Sequence, residues 1–310
     1  MLLAAPVLLA ASLFTMQNSF WVNLHQFLYA EAIRQRSRQP PVLVMSELPE
    51  ADRQAWTTAP DGYRDLARAD FRFDARLVGI NDALARAGEP EQVADGAIDS
   101  AIAAALNRAA PIYRARLWPR HREANDAWMR RMQIAIDQHA TALTAALAKA
   151  YGTPWPSLPI LVDVSYEASS FGAYTTDSGP PGFAAHSTIA PVGDAADGDM
   201  GIESIFHEAS HAVDAHIMKM VNDECARQSV RPPRNLWHAI IFYTTGELVR
   251  RELGKVGDAH YQPYAYRYDV YAKGMFAERA ALEKNWQPYL DGKGTLEEAL
   301  RNVVREVAAQ

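Results

Sequence analysis

The residues that could carry chemistry lie in one short run, His207-Glu208-Ala209-Ser210-His211. On an α-helix, side chains four residues apart stand one turn apart and about 40° from each other around the axis. Two imidazoles placed that way can grip one metal ion without distorting the backbone. Glu208 lies beside the first of them, where it can take a proton from a metal-activated water, whose pKa a zinc ion lowers to near 7. With nine histidines and seventeen glutamates placed at random in this chain, roughly 0.014 such HExxH matches are expected. The run is flanked by apolar Ile205, Phe206, Val213 and Ile217, as a buried helix requires. The spacing therefore predicts a Zn2+ site held by His207 and His211, with Glu208 as the catalytic base.

A catalytic zinc needs a third protein ligand. The extended motif that ends in a third histidine on the same stretch is excluded, because Asp214 and Ile217 occupy the required glycine and histidine positions. His216 points about 140° away from His211. Asp214 shares the histidine face and could accept a hydrogen bond from a ligand imidazole. The next apolar run, Leu236 to Glu247, offers two further ligands. Glu247 shares a face with Ile240 and Tyr243, and a carboxylate in so apolar a helix needs a partner, which a metal supplies. Thr244, Thr245 and Gly246 make a small-residue turn that would let this helix come close to the HExxH helix. Glu252, beside Arg250 and Arg251, reads as an ion-paired end. Glu247 is the preferred third ligand and His238 its rival.

These features resemble the zincin metallopeptidases, and within them the gluzincins, in which HExxH is completed by a glutamate on a downstream helix. The resemblance rests on His207 to Glu247, about an eighth of the chain. It implies peptide or protein substrates, with the motif glutamate as general base. It also implies an edge strand just before the active helix that binds peptide in extended form, here Ala184 to Ala190. The chain departs from the thermolysin-like pattern, because Leu248-Val249-Arg250-Arg251 follows Glu247 without an acidic residue one turn on. The segments Phe20 to Tyr29, Leu236 to Glu247 and Tyr261 to Arg267 also resemble those of a group of exported bacterial proteins.

Peptide hydrolysis also needs a donor for the oxyanion. Among Tyr243, His260, Tyr261, Tyr264, Tyr266 and Tyr268 the choice falls on Tyr264 or Tyr266. His25, His121 and Asn125 read as structural polar groups. Cys225 follows Asp223-Glu224, an acidic setting that makes a poor nucleophile.

The elements that must position this chemistry divide into two textures. Residues 17–151 read as a helical N-terminal region, with helices near Phe20 to Ile33, Asp74 to Ala87, Gly96 to Leu117 interrupted by Pro111, and Arg120 to Ala150. Residues 152–310 read as a zincin-like metal-binding catalytic region. Strands are expected at Ile160 to Tyr166, Ser170 to Thr176 and Ala184 to Ala190, then helices at Met200 to Val221 and Asn235 to Leu253, with closing helices to the end. The predicted fold is α+β and mostly helical. Residues 1–16 read as a secretory signal, since Leu2 to Phe14 is apolar and too short to span a bilayer. Ala10, Ala11 and Ser12 would flank the cleavage site, and export follows from that reading.

A net charge of −6 leaves no basic field for nucleic acid, and a single cysteine excludes a disulfide framework or a multi-cysteine cluster. The function expected is that of a zinc-dependent metallopeptidase. The alternatives are a metal hydrolase of another bond, an inactive metal-binding protein, or a helical scaffold in which HExxH is accidental.

Overall fold

The computed structural model describes residues 13–40, 42, 48–168, 172–176, 179–193, 198–258 and 260–309. The fold is α+β and mostly helical, with a small mixed sheet between helical layers. Strand β1 (Phe14–Gln17) leads into helices α1 (Phe20–Arg36), α2 (Glu50–Thr58), α3 (Ala75–Arg86), α4 (Ser100–Arg116) and the long α5 (Trp118–Tyr151). Strands β2 (Ile160–Val164), β3 (Ala173–Thr176) and β4 (Ala185–Ile189) follow, then α6 (Met200–Ser210), α7 (Asp214–Arg227) and α8 (Leu236–Lys255). The chain closes with short α9 (Tyr264–Arg267), α10 (Phe276–Ala281), α11 (Gln287–Leu290) and the amphipathic α12 (Leu296–Ala308).

Local chemistry sets these boundaries. Ser19, Asp74 and Asp99 accept backbone N–H bonds at the starts of α1, α3 and α4, satisfying donors that have no partner inside the helix. Helix α5 ends at Gly152, whose φ of 66° places it in the left-handed conformation that glycine favours. Helix α4 runs through Pro111 without the expected interruption.

The sheet order is β1-β2-β4-β3, with β1, β2 and β4 parallel and β3 antiparallel. Two expectations change here. The strand at Ala184 to Ala190 is internal, and the edge beside the active helix is β3. Order in sequence and order in the sheet differ, because the chain passes outside before returning to pair β4 with β2. Residues 14–16, inside the expected signal, form β1, and Phe14 is buried edge-on against Phe206 of α6 at 5.3 Å. The rest of that signal, residues 1–12, lies outside the described residues. Among the described residues no helix is long and apolar enough to cross a membrane.

Side chains alternate between the two faces of each strand. Ile160, Val162, Val164, Ala185 and Ile189 pack in one core with α5, α6, α8 and the closing helices. Helices α1 to α4 build a second core, to which β3 contributes Tyr174. Most of α5 thus belongs with the sheet and α6, although it falls within the expected N-terminal region. The sheet face toward α1 and α3 is polar. Asp163 and Asp82 each lie 2.7 Å from one ring nitrogen of His186, while Gln26 donates to the Tyr174 hydroxyl.

Candidate metal centre

Helix α6 is buried along its length, and α8 packs against it in the antiparallel sense. Three successive turns meet. The ring of His211 lies 5.3 Å from that of His238, and His207 lies 4.0 Å from Phe242. One turn further, a Cβ on Gly246 would stand 3.1 Å from Glu203 Oε1. The small residues at 244–246 permit this approach. Thr245 Oγ1 reaches Ser210 Oγ at 3.4 Å, and both meet the Tyr151 hydroxyl at 3.2 Å.

This register brings together His207, His211 and His238, whose ligand atoms lie within 4.8 Å of one another. Nε2 of His238 is 3.2 Å from Nε2 of His207. Two nitrogens each about 2.0–2.1 Å from one tetrahedral zinc stand about 3.3 Å apart, so the pair already has the spacing of two ligands. Burial, together with the neighbouring His211 and His238, holds the His207 imidazole well below its ordinary pKa. Burial, then His211 and Arg72, lowers His238 to about 3. Both rings are therefore neutral at physiological pH, the form that binds metal. Phe242 and Trp237 fix the rings by contact, with Trp237 stacked on His238 at 5.0 Å. Among the described residues Nδ1 of His207 has no hydrogen-bond partner, and its ring packs against Phe242. Nδ1 of His211 faces Asp214 at 3.7 Å, the side expected for that carboxylate but beyond hydrogen-bond distance. The residues present fit a divalent metal of the zinc type.

Glu208 is buried next to this cluster. Thr175 of β3 donates to its carboxylate at 2.7 Å and lies 3.0 Å from its backbone carbonyl. Burial raises the Glu208 pKa, while His211, the Thr175 hydrogen bond and Arg72 pull it back. A carboxylate tuned upward in this way can accept a proton near neutral pH.

Glu247, the expected third ligand, lies outside the histidine cluster. It is nine residues beyond His238, about 13 Å further along α8. Because the helices run antiparallel, that distance carries it toward the start of α6 and away from HExxH. The need for a partner was real, but its own helix meets it. Arg250 donates to Glu247 at 2.7 and 2.8 Å, and Arg251 at 2.7 Å. Those hydrogen bonds and charges outweigh burial and lower the Glu247 pKa. Glu252 instead pairs with Lys255 and His139.

Of the two expected oxyanion donors, Tyr266 turns its hydroxyl to Glu283 at 2.9 Å, away from the cluster. Tyr264 stacks on Phe242 at 6.5 Å and stays on the site's side. Its backbone N–H reaches Glu203, which also accepts from the Tyr261 hydroxyl at 2.5 Å and is pushed up to about 7 by burial. His25, His121 and Asn125 are structural, bonded to Tyr63, Tyr113 and the Asn18, Asn23 and Val164 groups respectively. His216 binds the Tyr151 carbonyl. Thr175 and Arg72 escaped sequence reading, since nothing in their local sequence connects them to residue 208.

No family profile, curated protein or solved structure matches the chain.

Proposed function

We propose that the protein is a zinc-dependent metallopeptidase in which His207, His211 and His238 hold the metal. The supporting observation is the convergence of the His207, His211 and His238 imidazoles, the first buried and the other two partly buried, beside a buried carboxylate of raised pKa. When bound, zinc supplies a Lewis acid for the scissile carbonyl and makes water acidic enough to attack near neutral pH. Glu208 takes the proton of the attacking water and returns it to the leaving amine. Thr175 keeps the Glu208 carboxylate oriented and ionised. Tyr264, whose ring stacks on Phe242, would be the donor for the developing oxyanion. The β3 edge, one hydrogen bond from Glu208, is where an extended peptide would align its backbone.

The test is zinc stoichiometry by elemental analysis, followed by peptide hydrolysis with the zinc-loaded protein. One zinc per chain and hydrolysis abolished in Glu208→Gln support the reading. No zinc after reconstitution would remove it and favour a helical scaffold. Zinc without hydrolysis of any peptide would leave a metal-binding protein.

A further inference from the structure

The hydroxyl that holds Glu208 has a second partner deeper in the sheet. Thr175 of β3 stands opposite Ser187 of β4 in the antiparallel pair, and their hydroxyl oxygens lie 2.9 Å apart. Side chains alternate along a strand. Ser187 therefore shares its face with Ala185 and Ile189, which pack in the core that contains α6. His186, on the other face of β4, turns to Asp82 of α3 and to Asp163. Ser187, Thr175 and Glu208 are all buried. The three form one hydrogen-bonded line from the inner strand, through the edge strand, to the carboxylate of α6.

The proton count fixes the direction of that line. A hydroxyl has one proton to give and two lone pairs that receive. Thr175 Oγ1 has three partners: Ser187 Oγ at 2.9 Å, Glu208 Oε2 at 2.7 Å and the Glu208 carbonyl oxygen at 3.0 Å. An ionised carboxylate and a carbonyl only accept. Among the described residues, Ser187 Oγ has Thr175 Oγ1 as its one hydrogen-bond partner. If Thr175 gave its proton to Ser187, Glu208 would lose its donor and the Ser187 proton would lie buried without an acceptor, which is costly. The direction that leaves every group paired runs from Ser187 to Thr175 to Glu208. Charge favours it as well, since a bond to an ionised acceptor is the shorter and stronger one.

We infer that Ser187 is a positioning residue for Glu208: by donating to Thr175, it commits the single Thr175 proton to Glu208. The inference rests on the reading of Glu208 as the general base and adds the residue that holds that base in place. Oε2 is the oxygen bound to β3, so Oε1 is the oxygen that takes the proton of the attacking water and passes it to the leaving amine. Ser187 is suited to this task by its place in the sheet. Strand β4 is paired on both sides, with β2 and β3, whereas Thr175 lies on an edge strand. The inner strand thus sets the hydroxyl of the outer one.

Neutron diffraction from deuterium-exchanged crystals of the zinc-loaded full chain reads the direction without any substitution. Deuterium on Ser187 Oγ aimed at Thr175, with that on Thr175 Oγ1 aimed at Glu208 Oε2, is the expected result. Deuterium on Thr175 aimed at Ser187 overturns the inference. Kinetics then tests the consequence. Ser187→Ala should lower kcat about two- to tenfold, the scale of one hydrogen bond, with KM and zinc stoichiometry unchanged. Ser187→Thr keeps the donor and should keep kcat near that of the unaltered chain. In a chain that already carries Thr175→Val, Ser187→Ala should cost nothing further, because the two residues act as one unit. An unchanged kcat in Ser187→Ala, or a loss that simply adds to that of Thr175→Val, overturns the positioning role and leaves the peptidase reading standing. If the zinc-loaded unaltered chain hydrolyses no peptide, the peptidase reading fails and the positioning role falls with it.

Discussion

Nε2 of His238 lies 3.2 Å from Nε2 of His207, although 31 residues and a helix reversal separate them. The contact exists because α8 runs back along α6, with Gly246 and Thr245 allowing the two backbones to close up. It places a histidine from the start of α8, and not the carboxylate from its middle, beside His207 and His211.

Metal content separates the two assignments. His238→Ala should lose most bound zinc after dialysis, because one of three ligands is gone. Glu247→Ala should keep one zinc per chain while lowering the melting temperature, since two arginines lose their shared acceptor. Elemental analysis beside thermal melts reads both. Zinc retained in His238→Ala and lost in Glu247→Ala would reverse the assignment.

Thr175 tunes the base. Its hydrogen bond opposes the upward shift that burial imposes on Glu208. Thr175→Val removes it, so the carboxyl should hold its proton to higher pH. The acid limb of the kcat/KM profile should move to higher pH, with zinc content unchanged. An acid limb that stays in place would show that Glu208 does not set it. Glu208→Gln itself should cost about 10²–10⁴ in kcat, the range for a lost general base.

His186 predicts a pH dependence of folding that is independent of the metal site. Burial opposes its charge, but the hydrogen bonds and charges of Asp163 and Asp82 prevail and push its pKa up to about 9. An unfolded histidine titrates near 6.5. The folded state therefore holds this proton more tightly than the unfolded state does. The resulting stability is fully present below about pH 6.5 and is lost as pH rises through about 9, up to about 3 kcal/mol in all. Urea unfolding at pH 6 and pH 9.5 measures it. His186→Gln should flatten that slope, and should itself destabilise by about 3–5 kcal/mol because Asp163 is left buried without its cation. An unchanged slope in the variant would assign the pH dependence elsewhere.

Gly246 sits where α8 passes close to α6 and to Pro263. A Cβ there would stand 2.7 Å from Pro263 Cβ and 3.1 Å from Glu203 Oε1. Gly246→Ala should destabilise by about 1–3 kcal/mol through overpacking and weaken zinc binding by moving His238 from His207. Chemical unfolding and a zinc competition titration test the two effects separately. Full stability with unchanged zinc affinity would mean that the helices can part there at no cost.

Sequence by itself determined the parts that depend on neighbours along the chain. The spacing of His207 and His211 placed two imidazoles on one helix face, and the apolar run from Leu236 announced a buried helix with small residues at 244–246. Periodicity and capping residues placed the long helices, and alternation placed three of the four strands. Tertiary structure decided what depends on how elements meet. The direction in which α8 crosses α6 is not written in either helix, yet it set His238 beside His207 and His211 and left Glu247 to Arg250 and Arg251. Strand order depends on pairing at long range, so β3 rather than β4 became the edge, and four-residue β1 was recognisable only by its partner β2. Thr175 and Arg72 reached Glu208 for the same reason: hydrogen bonds and electric fields act through space, and folding sets those distances.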